Sequence, residues 1–374
     1  MRRLLLALLF LLSWAPTALG APSVRVALMK GVKEVAFGAE SPLRFYGLPE
    51  GIVLHESSSG ETLKLTLRDG EFLLLGDSFA VKENLRVRAL SGVLLLNGRP
   101  YRGLIDCIKD GKGSFLVVNE LKVEDYLRGV LSFEMGPGWP LEALKAQSVA
   151  SRTFILLSKG EGRKGPYHLE STFIGQVYGG ALGETPATDR AVAETQGEVL
   201  FYGGKLARTY FHSMSDGRTE DFSSLFGEEI PYLRSVPSPY DREARDFSWR
   251  AEIDLYELGR ALSGQGLSIG RVREARVVSW TPAGRVREVL FRGSSGEGRL
   301  KARELRRLLG WNVVKSTAFR LYLRRGSLLI EGRGSGHGLG LSQWGARGMA
   351  ERGASYRDIL RHYYPGTELR RLSP

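Results

Sequence analysis

The stretch Tyr126–Thr153 reads YLRGVLSFEMGPGWPLEALKAQSVASRT. Its second half has helical periodicity. Pro140 suits the first helical position, where no amide donor is needed, and Glu142 complements the positive start of a helix. Ala143, Ala146, Ala150, Phe154 and Leu157 recur every three or four residues and form one face. The spacing predicts a helix from Pro140 to about Ser158, and its alanines allow another backbone to come close. Lys145, Ser148 and Arg152 share a different, polar face. Ahead of the helix, Glu134 stands between Phe133 and Met135, with Trp139 nearby. A carboxyl desolvated by such neighbours has a raised pKa and can deliver a proton near neutrality. The other reading is a surface glutamate near the start of that helix, and spacing alone leaves the two even.

On the N-terminal side, residues 21–100 are β-rich. Val24–Leu28 and Leu63–Leu67 alternate apolar and polar, and Phe72–Leu75 and Val93–Leu96 are short apolar runs separated by Gly, Ser, Asn and Asp. His55 falls in a turn-like segment and reads as a solvated histidine. On the C-terminal side, Gly197–Lys205 reads as a hairpin and Ala207–His212 as the next strand. Residues 247–318 read as a small α+β insert. In it, Arg271–Trp280 and Arg285–Phe291 alternate around a turn, and a helix over Ala302–Leu309 stops at Gly310. Residues 319–374 hold a glycine loop around one histidine, Gly332–Gly340 (GRGSGHGLG). A helix over Ser342–Arg352 follows, then one capped by Ser355 with Asp358. The fold class is therefore α+β: a β-rich N-terminal region, a mixed core over 101–246 that carries Glu134, the insert, and a C-terminal return to the core.

Composition bounds the function. The 374 residues are 43% hydrophobic and 25% charged, which is globular. A single cysteine, Cys107, excludes an intramolecular disulfide and any multi-cysteine metal site. The net charge of +12 favours anionic partners. Arg2 and Arg3, the apolar run Leu4–Ala15, Pro16 and Ala18-Leu19-Gly20 read as a secretory signal over 1–20. The expected location is the cell envelope or outside the cell. Nucleic acid is then no partner, and membrane contact arises only if the signal is kept as an anchor.

Two short motifs carry nothing. Gly160–Gly165 fits G-x-G-x-x-G but follows a helix, where the dinucleotide fingerprint needs a strand. Gly266–Gly270 fits G-x-S-x-G but precedes a strand, where the nucleophile elbow needs a helix. The glycine loop around His337 reads either as a strained turn packed on a helix or as a histidine and free N–H groups lining a cleft. The five histidines form no i, i+4 pair, so no metal site is expected. Cys107 reads as a small buried hydrophobe.

At these residues the chain resembles the stage II sporulation protein D family, also described as the LytB amidase-enhancer family. Five blocks carry the resemblance: Tyr101–Gly103, Tyr126–Thr153, Gln176–Gly180, Thr209–Asp221 with Pro231–Leu233 after it, and Gly332–Thr367. The resemblance implies a peptidoglycan lytic transglycosylase that prefers strands stripped of stem peptides, with Glu134 as its acid. Gly136 stands where proline is common, though Pro137 follows. By the same resemblance, Lys145, Gln147 and Arg152 bind sugar or hold the Glu134 loop. His337, Ser342 and Gln343 reach acetamido groups, and Tyr210 stacks on a sugar. Some members bind zinc near the third block; here His168–Gln176 has no cysteine, so no zinc and no cofactor are expected. The LytB name implies a second reading, a non-catalytic wall-binding partner of an amidase.

Overall fold

A computed structural model describes residues 22–74, 79–160, 165–170, 178–244 and 246–372. The signal-like segment and residues 171–177, with Gln176 and Val177 of the third block, lie outside the described residues. Helices and strands are both abundant, as the α+β reading expects.

Two antiparallel sheets build the N-terminal part. One runs, in spatial order, through Leu169–Glu170, Ser23–Val32, Phe115–Lys122, Leu104–Lys109, Asn84–Ala89, Leu43–Leu48 and Ile52–Glu56, with only the Leu169–Glu170 edge parallel. The other has six strands between Arg99–Tyr101 and Phe79–Val81. Strict alternation drives them. In Thr62–Arg68, Leu63, Leu65 and Leu67 are buried while Thr62, Lys64 and Arg68 are exposed. The first sheet takes its strands from both ends of the stretch between residues 23 and 122, so the β-rich region and the start of the core share one sheet. His55 lies within the strand Ile52–Glu56 rather than in a turn, against the rings of Phe45 and Phe79. Cys107 is fully buried, as a small hydrophobe would be.

Eight helices follow among the described residues: α1 Val123–Glu134, α2 Leu141–Gly160, α3 Pro186–Glu194, α4 Phe222–Phe226, α5 Leu255–Ser263, α6 Ala302–Leu309, α7 Gln343–Glu351 and α8 Tyr356–Tyr363. α1 buries Val123, Tyr126, Leu127, Val130 and Leu131, an i, i+3, i+4 stripe. α2 is the central helix and packs against α1, α3, α7 and α8. Its alanines Ala143, Ala146 and Ala150 have no exposed surface, which permits that crowding. Ser355 and Asp358 form the expected capping box of α8. The hairpin Glu198–Tyr202 with Lys205–Leu206 forms, but the strand expected over Ala207–His212 is only Phe211–His212. It pairs in parallel with Leu341–Ser342 and so joins the fourth and fifth blocks.

A second hydrophobic core gathers Trp249, Leu258, Val289, Phe291 and Leu305 with Phe319, Leu328 and Ile330. The strands Phe319–Leu323 and Ser327–Arg333 pair with each other, and Ser327–Arg333 pairs with Ser248–Asp254. This core thus includes residues past 318, because these strands have no other sheet to join.

Candidate active site

α1 ends at Glu134. Met135 leaves the helix with extended backbone (φ −138°, ψ 140°), and Pro137 cannot continue it. Glu134 is therefore the last residue of a helix that precedes α2, not a residue at the start of α2. Its side chain is half-buried, and its Oε2 accepts a hydrogen bond from Gln343 Nε2 at 3.0 Å. Gln343 opens α7, whose cap is Ser342. The carboxyl therefore sits between the negative end of α1 and the positive end of α7. The fields of the two helix ends oppose each other there. Tyr126, one face up α1, is fully buried, and its hydroxyl has no partner among the described residues. Burial first, and the Glu134 charge second, raise its pKa.

Gln343 is held by what lies beneath it. The Ser342 hydroxyl donates to Asp241 Oδ1, and Ser215 and Ser238 donate to Asp241 Oδ2 at 2.6 and 2.8 Å. Asp241 is fully buried; burial raises its pKa against the opposing pull of these hydroxyls. Trp344 crosses Trp139 edge-on at 5.0 Å, and the Arg347 guanidinium lies over both rings. An aromatic wall thus stands beside the Glu134–Trp139 loop. Phe133 is 49% exposed and faces Gly179 and Gly183, while Met135 is buried.

The other end of the glycine block is different. A Cβ at Gly338 (φ +87°) would lie 2.8 Å from Cζ of Arg285, and one at Gly340 (φ +64°) 2.0 Å from the carbonyl oxygen of Tyr210. Arg285 is fully buried, with Asp216 at 2.5 Å as its ion partner. His337 lies 5.7 Å from His212 and 6.0 Å from Tyr210, ring to ring. Burial, then the charges of Arg306 and Arg285, push the His337 pKa down to about 4. His212 is buried and pushed down in the same way, with His337 adding to the effect. Both rings are neutral at pH 7.

Comparison with known proteins gives a family match that spans Glu134 and α2. The family described as "Stage II sporulation protein" matches residues 111–202. An uncharacterised protein of Brachyspira hyodysenteriae is 34% identical over 275 residues, 73% of this chain and 73% of its own length. Stage II sporulation protein D of Bacillus amyloliquefaciens is 34% identical over 268 residues, 67% of this chain and 75% of its own. The chain belongs to the stage II sporulation protein D family. The "Amidase enhancer" of Bacillus subtilis is also similar, 29% identical over 364 residues, 83% of this chain and 50% of the relative. Residues 208–340 match a separate domain family of unknown function.

The family blocks converge in space, but their candidate residues do different jobs. Gln343 touches Glu134 directly. Ser342 sits below it and is fully buried. Arg152 is 1% exposed; its Nε and Nη2 donate to the Glu124 carboxylate at 2.9 and 2.7 Å, and its Nη1 donates to the Glu198 carbonyl at 3.1 Å. Its burial removes it from sugar and makes it a brace between α2 and α1. Lys145 pairs with Glu142 at 2.9 Å and Glu194 at 2.5 Å, and Gln147 is buried, donating to Ser151 at 3.0 Å. Tyr210 lies against Phe222 and Phe226, beside His337. His168 accepts from the Arg25 amide at 3.0 Å. No group of three His, Cys, Asp or Glu side chains among the described residues is placed to hold a metal. No helix among them is long and apolar enough to cross a membrane.

Sequence reading missed α1, although Val123, Tyr126, Leu127, Val130 and Leu131 carry the helical stripe. It also missed Asp241 and Arg285, for which no local pattern exists; their roles come from partners distant in the chain.

Proposed function

We propose that this protein is a cell-envelope lytic transglycosylase that cuts peptidoglycan glycan strands. The observation that carries the reading is a half-buried carboxyl, Glu134, held by Gln343 between opposed helix ends. Family membership and the sporulation and amidase-enhancer names of its relatives support a cell-wall role. In the reaction, protonated Glu134 gives its proton to the glycosidic oxygen as the bond from muramic acid C1 breaks. The resulting carboxylate takes the proton of the muramic C6 hydroxyl as that oxygen bonds to C1. The products are a 1,6-anhydromuramic end and a new N-acetylglucosamine 4-hydroxyl, and no water is consumed. The nucleophile belongs to the substrate, so no second carboxylate is required, in contrast to paired-carboxylate glycosidases. Glu142, the nearest acid in the following helix, is committed to Lys145 and the Tyr356 amide.

The stripped strand is the proposed substrate, and an export signal over 1–20 would deliver the protein to it. The test digests stripped and intact strands with purified protein and weighs the products. Anhydromuramic ends are expected, 18 mass units (one water) below hydrolysed ends. Hydrolysed ends would refute the mechanism. The relative named Amidase enhancer favours one further reading, a non-catalytic amidase partner. Intact strands together with a stimulated amidase would establish that reading instead.

A further inference from the structure

The second core carries a groove that the Glu134 site does not use. Its volume is about 660 Å³, within the range of small-ligand sites. Its floor is the outward face of the three-stranded sheet. Trp249, Ile330 and Phe319 turn inward to the second core. The residues of opposite parity turn outward. Register places Arg250 and Arg320 on either side of Glu331, with Arg333 two residues further along the same strand. Trp280, at the end of the neighbouring hairpin, and Tyr322 also line the groove, and as residues they are 57% and 40% exposed.

The charge here is unbalanced. Arg250, Arg320 and Arg333 are exposed and have no ion-pair or side-chain hydrogen-bond partner among the described residues, and Glu331 is the only acid on that face of the sheet within the groove. The other acid lining the groove, Asp216, is taken by the buried Arg285. On the neighbouring hairpin, by contrast, Arg292 is paired with Glu274 and Glu297. Exposed Trp and Tyr residues beside unpaired guanidinium groups suit a ligand with flat C–H faces and carboxylates. A sugar ring offers the first. Removal of a stem peptide from muramic acid leaves a lactyl carboxylate, which offers the second and which arginine can bind in bidentate fashion.

We infer that this groove is a second glycan subsite, which stacks an aminosugar on Trp280 and pairs Arg250, Arg320 and Arg333 with the lactyl carboxylates of stripped strands. The inference rests on the glycan reading above but not on cleavage. It gives residues 246–333 a role in choosing stripped strands and in holding the strand beyond the cut.

The test measures binding to the full chain carrying Glu134→Gln, so that strands stay whole. Stripped strands are compared with neutral chitin oligosaccharides of the same length. Trp280→Ala is expected to weaken both ligands roughly fivefold. Arg320→Ala with Arg250→Ala should weaken the carboxylate-bearing strands about tenfold and the neutral ones little, and added salt should erase that difference. Trp280→Phe should restore most of the stacking, and unchanged melting temperatures show that the variants are folded. Wild-type affinity of Trp280→Ala and of the double arginine variant for stripped strands would overturn the inference. Trp280-dependent binding by a wild type that cuts nothing would sink the transglycosylase reading and leave the subsite standing.

Discussion

The two ends of the Gly332–Thr367 block make opposite use of polar groups. At Gln343 a side chain reaches a half-buried carboxyl that lies between two opposed helix ends. At His337 and Gly338 the chain closes over a fully buried arginine and two histidines held neutral. The first end has a half-buried acid that accepts a hydrogen bond from Gln343. The second has an excess of positive charge that a single aspartate offsets. A catalytic proton has to come and go, so it needs the first kind of setting. The second kind fixes backbone, and it is costly to disturb because an unpaired charge in low dielectric has no water to turn to.

The sharpest way to break this contrast is to remove the offset. Asp216→Ala strands Arg285, and the expected loss of stability is about 3–5 kcal/mol, read by chemical denaturation. A loss under about 1 kcal/mol would show that the arginine finds water, and the two ends would then not differ. Glu124→Ala should act alike by stranding Arg152, at a similar cost.

A second test uses pH. Burial, with the charges of Arg306 and Arg285, pushes His337 down to about 4 in the fold, below the ordinary value of about 6.5 for a free histidine. The unfolded chain therefore binds more protons between those values. The stabilisation is complete above about pH 6.5 and is lost as the pH falls towards 4. His212 shifts in the same direction. Thermal melts across this range should show a decline, about 3 kcal/mol of it removed by His337→Gln. A parallel decline in the variant would assign the loss to other groups.

The smallest expected effect on stability is at the other end. Gln343→Ala removes one half-buried hydrogen bond, worth about 1 kcal/mol. It should nevertheless slow strand cleavage about 10- to 100-fold by freeing the Glu134 carboxyl, with KM little changed. Equal loss of stability and rate would make Gln343 a packing residue only.

Much of this was legible beforehand. The strands at Val24 and Leu63, the helix after Pro140 and the Ser355 cap all rest on local periodicity or capping, which a single sequence displays. Glu134 could be singled out, but not placed, because its helix was hidden by the turn that follows it. Arg152 reads from sequence as a polar-face residue, one that binds sugar or holds the Glu134 loop. Its burial depends on Glu124 and Glu198, far apart in sequence, and no local pattern encodes that. The same holds for Gly338, whose missing side chain is explained only when Arg285 is seen against it. Residues near 319–333 read as a return to the first core, because pairing with Ser248–Asp254 is a long-range choice.

The most direct test of the central claim is Glu134→Gln in strand cleavage, followed by mass spectrometry with a melting curve alongside. The amide keeps the shape and can still bond Gln343, but it cannot exchange a proton. A fall of at least about a thousandfold in anhydromuramic ends is expected, with the melting temperature and glycan binding preserved. Anhydromuramic ends formed at an undiminished rate would contradict it and remove Glu134 from the chemistry.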